Sequence, residues 1–247
     1  MISFKSSAPR KKPPPRVPGG IRLYAIGDIH GRADLLEQIL KRVDADLKKH
    51  PVPHCIQIFL GDYIDRGPAS RQVLDLLVAR ERAYRTVFLK GNHETFMTNF
   101  LTKPSILENW QQFGGLETLM SYGIMPSINA DPVDQARLAV KLSDVMPESH
   151  RRFLRDLNLS FTCGDFLFVH AGIRPGVPLL KQKEEDLLWI RQEFLFCEDD
   201  FGKVVVHGHT PVPQVDMRPN RINIDTGAYA TGTLTCLVLE THKMRII

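Results

Sequence analysis

Cysteine is scarce and scattered in this 247-residue chain: Cys55, Cys163, Cys197 and Cys236 form no C-x-x-C pair. That argues against a zinc finger or a dithiol redox site and leaves reduced thiols as the expectation. No apolar run approaches the roughly 18 residues that span a bilayer, and the first residues lack the apolar stretch of about 7 to 15 residues found in a secretory signal. A cytoplasmic protein with no membrane partner is expected. Repeats of fixed period are absent, which sets aside solenoids and propellers. An excess of one charge is also lacking once position is considered. The formal charge is +4, yet residues 1–20 carry Lys5, Arg10, Lys11, Lys12 and Arg16 and no acid, so the rest holds 27 basic and 28 acidic groups. A neutral body without a basic stripe gives no reason to expect a nucleic-acid partner.

What is present is ordinary globular composition, 43% hydrophobic and 24% charged, enough for a sizeable core. The Pro- and Gly-rich stretch 1–20 is expected to be a flexible, solvated leader, because a proline triplet joins neither a helix nor a sheet ladder. One domain is expected over residues 21–247.

A buried-strand pattern followed at once by a Gly-, His- and Asp-rich turn occurs five times. RLYAI (22–26) leads into GDIHG, CIQIFL (55–60) into GDYIDRG, and RTVFL (85–89) into GNHE. Later, DFLFV (165–169) leads into HAG and KVVV (203–206) into HGHT. Amphipathic segments at 32–47 and 69–82 separate the first three, so parallel β-α-β units are expected there. From about Asn158 the chain offers mainly short strands, which predicts a second, mixed sheet packed on the first. Residues 95–156 read as a helical insertion without evident chemistry.

Each turn alone is weak evidence. Asp28 with His30, Asp62, and Asn92 with His93 all fit helix N-caps, and His170 or His209 alone fits a loop histidine. HETFM lacks the second histidine of the zinc-protease helix, and GDIHG lacks the spacing of a dinucleotide fold. Together the turns change the reading. Ligands of open α/β sheets bind at the carboxyl ends of strands, and two carboxylates, three imidazoles and a carboxamide converging there suit two divalent ions such as Mn²⁺, Fe²⁺ or Zn²⁺. Such a pair is the usual equipment of metal-assisted phosphoryl transfer.

GDIHG, GDYIDRG, GNHE, HAG and GHTP, in this order, resemble the signature of the phosphoprotein phosphatases, a branch of the calcineurin-like metallophosphoesterases, and in particular its short bacterial and phage members. The resemblance implies an α/β fold, a four-layer αββα sandwich with a helical insertion. It implies that Asp28 and His30 hold the first metal, that Asp62 bridges, and that Asn92, His170 and His209 complete the second, with Mn²⁺ as the expected ion. It further implies His93 as general acid oriented by Asp65, and Arg66 and Arg191 as phosphate-binding groups. For Arg191 a surface ion pair stays open. His207 is read as structural or as a support behind the metal ligands, Asp225 as orienting, and Arg174 as a solvated loop arginine or a substrate contact. The implied activity is hydrolysis of phosphomonoesters, serine/threonine phosphoproteins first, by direct attack of a metal-bridging hydroxide. A symmetrical dinucleoside tetraphosphate hydrolase is the alternative, and the acid of GDYIDRG, Asp65, favours the phosphatase. Phosphorylated proteins or small phosphoesters are thus the expected partners.

Overall fold

The computed structural model describes residues 13–127 and 129–247. Among the described residues, ten strands form two five-stranded sheets. They are β1 (Ile21–Ile26), β2 (His54–Phe59), β3 (Thr86–Phe88), β4 (Ser160–Cys163), β5 (Phe166–Val169), β6 (Val204–His207), β7 (Asp216–Met217), β8 (Arg221–Asn223), β9 (Cys236–Glu240) and β10 (Lys243–Ile246). The first sheet has the order β10-β9-β1-β2-β3 and the second β4-β5-β6-β8-β7. β1, β2 and β3 run parallel, joined by helices α1 (Ala33–Lys49) and α2 (Ser70–Ala83), as the alternating pattern predicts. In the second sheet β5, β6 and β8 are parallel.

The sandwich follows from the period-2 alternation of strand side chains. On β1, Leu23 and Ala25 face the space between the sheets, where they meet Phe166 and Phe168 of β5 and Val204 and Val206 of β6. Tyr24 and Ile26 of the same strand face outward and pack under α1 and α2 against Leu36, Ile39 and Leu77. Likewise Leu167, Val169 and Val205 point away from the inter-sheet core onto Leu187, Ile190 and Phe194. Each central strand is therefore apolar on both faces, the condition for four layers.

Two features depart from the sequence expectation. Strands β9 and β10 belong to the first sheet rather than the second, because β9 pairs antiparallel with the free edge of β1, Arg22 opposite Glu240 and Ile26 opposite Cys236. Residues 16–20, expected within the solvated leader, lie on the body: Val17 is fully buried and its N–H donates to Thr241 O at 2.7 Å. The charge run at 5–12 lies outside the described residues. No helix among the described residues is long and apolar enough to cross a membrane.

The stretch 95–156 is helical as expected, and includes α3 (Asn92–Phe100), α4 (Leu107–Trp110), α5 (Gly115–Ser121), α6 (Pro132–Val145) and α7 (Glu148–Arg155). The helices α8 (Glu184–Trp189) and α9 (Gln192–Leu195) cover the second sheet, and α10 (Ala228–Thr231) follows β8.

Candidate metal centre

The turns after β1, β2, β3, β5, β6 and β8 all leave the carboxyl ends of parallel strands, so they meet along one crest of the sandwich. Backbone bonds knit them: the N–H groups of Ile29 and His30 donate to Asp62 O at 3.1 and 2.8 Å, and that of Gly208 to His170 O at 2.8 Å. Among the described residues six non-glycines have positive φ, and five of them lie in these turns: His30, Asp62, Asp65, Arg66 and His209. A left-handed conformation costs an L-residue about 1–2 kcal/mol. The candidate side chains thus stand where glycine would be less strained, a pattern typical of sites held by their surroundings.

Asp62 is central. Its Oδ2 lies 3.5 Å from His30 Nε2 and 3.8 Å from His93 Nε2, and its Oδ1 lies 3.4 Å from His170 Nε2. Asn92 Oδ1 is 2.9 Å from both His170 Nε2 and His209 Nδ1. The ligand atoms of His30, Asp62 and His93 form one tight buried group, and those of Asp62, His170 and His209 a second, with Asp62 common to both. Asp28 is in neither. Its Oδ2 accepts the His209 N–H at 2.9 Å, and its Oδ1 is buried without a hydrogen-bond partner. A Cβ on Gly208 would come within 2.0 Å of that oxygen, so only glycine allows the approach. Asp28 thus meets the cluster through the His209 backbone, and the His93 ring lies beside that of His30, 4.6 Å between ring centres.

The donor set fits divalent cations. Nδ1 of His30 faces Ile64 O at 2.9 Å and Nδ1 of His170 faces Leu60 O at 2.9 Å, which turns both Nε2 lone pairs inward. Burial lowers His30 to about 3, lowers His170, and together with neighbouring His170 lowers His209 to about 2, so the imidazoles are neutral, the form that binds metal. Burial, then the carboxylates of Asp225 and Asp62, push Asp28 well above the usual range. Burial chiefly raises Asp225 to about 6. Clustered buried acids, together with the partnerless Asp28 Oδ1 and His209 Nε2, call for positive charge between them. Aspartate, histidine and asparagine are donors for hard to borderline ions.

On the first-sheet side, His93 Nδ1 is 2.7 Å from Asp65 Oδ2, both fully buried. Burial opposes the imidazolium, but the carboxylates of Asp62 and Asp65 outweigh it and hold His93 above its ordinary value. Arg66 aims Nη1 at His30 Nε2 (3.1 Å) and Nη2 at His93 Nε2 (3.4 Å), with its guanidinium 4.7 Å from the Tyr229 ring centre. Arg191 reaches the crest from the second-sheet side; it is exposed, and its Nη1 donates to Thr210 Oγ1 at 3.2 Å. Arg174 instead pairs with Asp186, Nε to Oδ1 at 2.9 Å. His207 is buried against Phe194, 5.0 Å between ring centres, outside both ligand groups, and burial lowers it to about 3. Asp225 lies behind the centre, accepting the Gly227 N–H at 2.9 Å.

Sequence reasoning passed over Glu94. Its Oε2 accepts the N–H groups of Gly91 (2.8 Å) and Asp62 (3.0 Å), and its Oε1 that of Tyr63 (2.8 Å), fastening the third turn to the second. The available signal was a glutamate three residues after Gly91 at a helix start, the spacing of a reciprocal cap. The aromatic rim was missed as well. Phe96 stacks on Phe113 at 5.2 Å and meets Trp189 edge-on at 5.8 Å; Trp189 lies 6.1 Å from His209, and Tyr229 lies 5.5 Å from His30. Trp189 and Tyr229 stay 39% and 40% exposed at the mouth.

Comparison with known proteins finds likeness over most of the chain. The model of the calcineurin-like phosphoesterase family matches residues 21–236. The asymmetrical bis(5'-nucleosyl)-tetraphosphatase PrpE of Anoxybacillus flavithermus is 27% identical over 231 residues, covering 86% of this chain and 88% of that protein. A crystal structure described provisionally as a diadenosine tetraphosphatase superposes with a TM-score of 0.64 at 19% identity, covering 92% of both chains. The cold-active protein-tyrosine phosphatase of a psychrophilic Shewanella gives a TM-score of 0.60 at 16% identity, over 94% of this chain and 80% of that one. At such identities the structures share a fold.

Proposed function

Since the chain belongs to the calcineurin-like phosphoesterase family, and so is a metal-dependent phosphoesterase, we propose that it hydrolyses phosphomonoesters, those of phosphoserine and phosphothreonine in proteins among them. The observation that carries this reading is the buried Asp65–His93 pair, whose imidazole sits against Asp62 and His30. An alkoxide leaves only when protonated, whereas a nucleotide phosphate, with a second pKa of about 6, departs readily as an anion. A dedicated acid is most useful for the ester.

In this reading Asp28, His30, Asp62, Asn92, His170 and His209 hold two divalent ions. Bound there, the ions supply charge stabilisation and a nucleophilic water at neutral pH. Arg66 and Arg191 approach from opposite sides to orient the phosphoryl oxygens, the Arg66 guanidinium lying over the Tyr229 ring. His93 Nε2 donates a proton to the departing oxygen as the ester P–O bond breaks and the water oxygen bonds to phosphorus. Net, water gives its hydroxyl to phosphorus and its proton to the alcohol, and His93 is restored.

A second reading is hydrolysis of bis(5'-nucleosyl) tetraphosphates. It is favoured by the name of the PrpE relative, which is of the asymmetrical type rather than the symmetrical type considered from sequence, and by exposed Trp189 and Tyr229, whose rings could stack on a base. One panel separates the two: kcat/KM of metal-loaded enzyme on phosphoserine, phosphothreonine and phosphotyrosine peptides and on diadenosine tetraphosphate. The monoester reading expects at least one phosphopeptide to exceed the dinucleotide. A dinucleotide preference of orders of magnitude overturns it.

A further inference from the structure

The helical stretch that carries no sequence motif supplies the acid side of the centre with its support. We propose that Trp110 of α4 and Thr118 of α5 are positioning residues that lock the Asp65 carboxylate, and through it the ring of His93, in line with the leaving group. The proposal rests on the reading of His93 as the proton donor.

Asp65 is fully buried, and both its oxygens are engaged. Oδ2, which faces His93 Nδ1, also accepts the indole Nε1–H of Trp110 at 2.8 Å. Oδ1 accepts the Thr118 hydroxyl at 2.6 Å. The Asp65 N–H donates to Thr118 Oγ1 at 2.9 Å and to Ser70 Oγ at 3.0 Å, so the same hydroxyl fixes the backbone at a residue with φ of +71°. Trp110, Thr118, Ser70 and His93 are all essentially inaccessible to water. The indole cannot swing away: it packs on Phe100 at 5.3 Å, and α5 rests so closely on it that a Cβ at Gly115 would come within 2.5 Å of the ring.

A carboxylate is free to rotate and attracts any cation in reach, and Arg66 is its neighbour in the chain. Two neutral donors from a separate helical layer fix its plane without cancelling its charge, so that Oδ2 stays on His93 Nδ1 and the opposite nitrogen, Nε2, faces the centre. Donors that support a catalytic partner in this way typically contribute about 10- to 100-fold to activity when removed. Because the proton matters more as the leaving group becomes more basic, the loss should depend on the ester.

The test is kcat across phosphate monoesters whose leaving groups run from dinitrophenol to a simple alkanol, for the wild type and for Trp110→Phe, Thr118→Val, Thr118→Ser and His93→Asn. Bound metal and Tm are measured on each. The expected result is that Trp110→Phe and Thr118→Val lose about 10- to 100-fold on the alkyl ester but only a few-fold on the dinitrophenyl ester. Thr118→Ser, which keeps the hydroxyl, should restore the alkyl rate. An equal fall on every ester, or no fall, in the two folded variants overturns the proposal. If Trp110→Phe does not fold, the Thr118→Val and Thr118→Ser pair decides alone. The two readings fail separately. His93→Asn losing equally on all esters removes His93 as the acid, whereas a leaving-group split in His93→Asn without one in Trp110→Phe and Thr118→Val removes only the support.

Discussion

Residue by residue, the centre depends on where charge and lone pairs are left facing one another. Asp28 has one carboxylate oxygen with no protein partner, so Asp28→Asn should keep the fold and lower the amount of metal retained, read by elemental analysis of purified protein. Glu94 is a different case. Its carboxylate serves three backbone N–H groups in two turns, and Glu94→Gln replaces one acceptor oxygen with a donor. A cost of about 1–3 kcal/mol is expected from the amide groups left unpaired, measured by denaturant unfolding. The candidate ligands were legible in the sequence because each follows a β-branched or aromatic run that ends in glycine. Trp110 and Thr118 were not, because a buried donor declares itself only through the partner it meets, here Asp65, 45 and 53 residues away. For Glu94 the cap spacing from Gly91 did not reveal its bonds to Asp62 and Tyr63, 32 and 31 residues away. The left-handed backbone at Asp62 and His209 was equally hidden, since neither is a residue that asks for it.

Among the elements, the continuous apolar runs of β1, β5 and β6 were readable as buried strands, and burial on both faces is what four layers require. Phe168 fills the space between the sheets; Phe168→Ala should cost about 3–5 kcal/mol in unfolding free energy. The sheet to which β9 belongs was not readable, because a continuous apolar strand suits either sheet and only the bare edge of β1 decides. β7, two residues long, is too short to carry a pattern. The helical layer offers a pH-sensitive joint. His150 of α7 faces the Tyr122 hydroxyl through Nδ1 at 2.8 Å and Asp75 of α2 through Nε2 at 3.0 Å. Burial lowers His150, against the pull of Asp75 and alongside the repulsion of Arg71. The unfolded chain therefore takes up the proton first. Stability should be full above the ordinary value of about 6.5 and fall as pH drops from there toward the lowered native value. His150→Gln should flatten that part of the wild-type profile, followed as Tm against pH.

For the molecule as a whole, the centre bridges the two sheets. His30, Asp62 and Asn92 come from turns of the first, and His170 and His209 from turns of the second. Ions bound between them would add to stability by mass action, by about 2.7 kcal/mol when free metal is 100 times its Kd. Chelation should accordingly lower Tm, and re-addition of Mn²⁺ should restore it, a calorimetric result that needs no substrate. The chain order of the first sheet has a consequence for biosynthesis. β1 is made before the other described strands of its sheet, yet its second edge stays bare until β9 is made, some 200 residues later. Leu23, Ala25 and their neighbours also lack the opposing sheet until β5 and β6 are made, and their antiparallel partner until β9 follows. The nascent polypeptide must then carry an open strand edge until β9 emerges, the kind of surface that recruits chaperones and promotes aggregation.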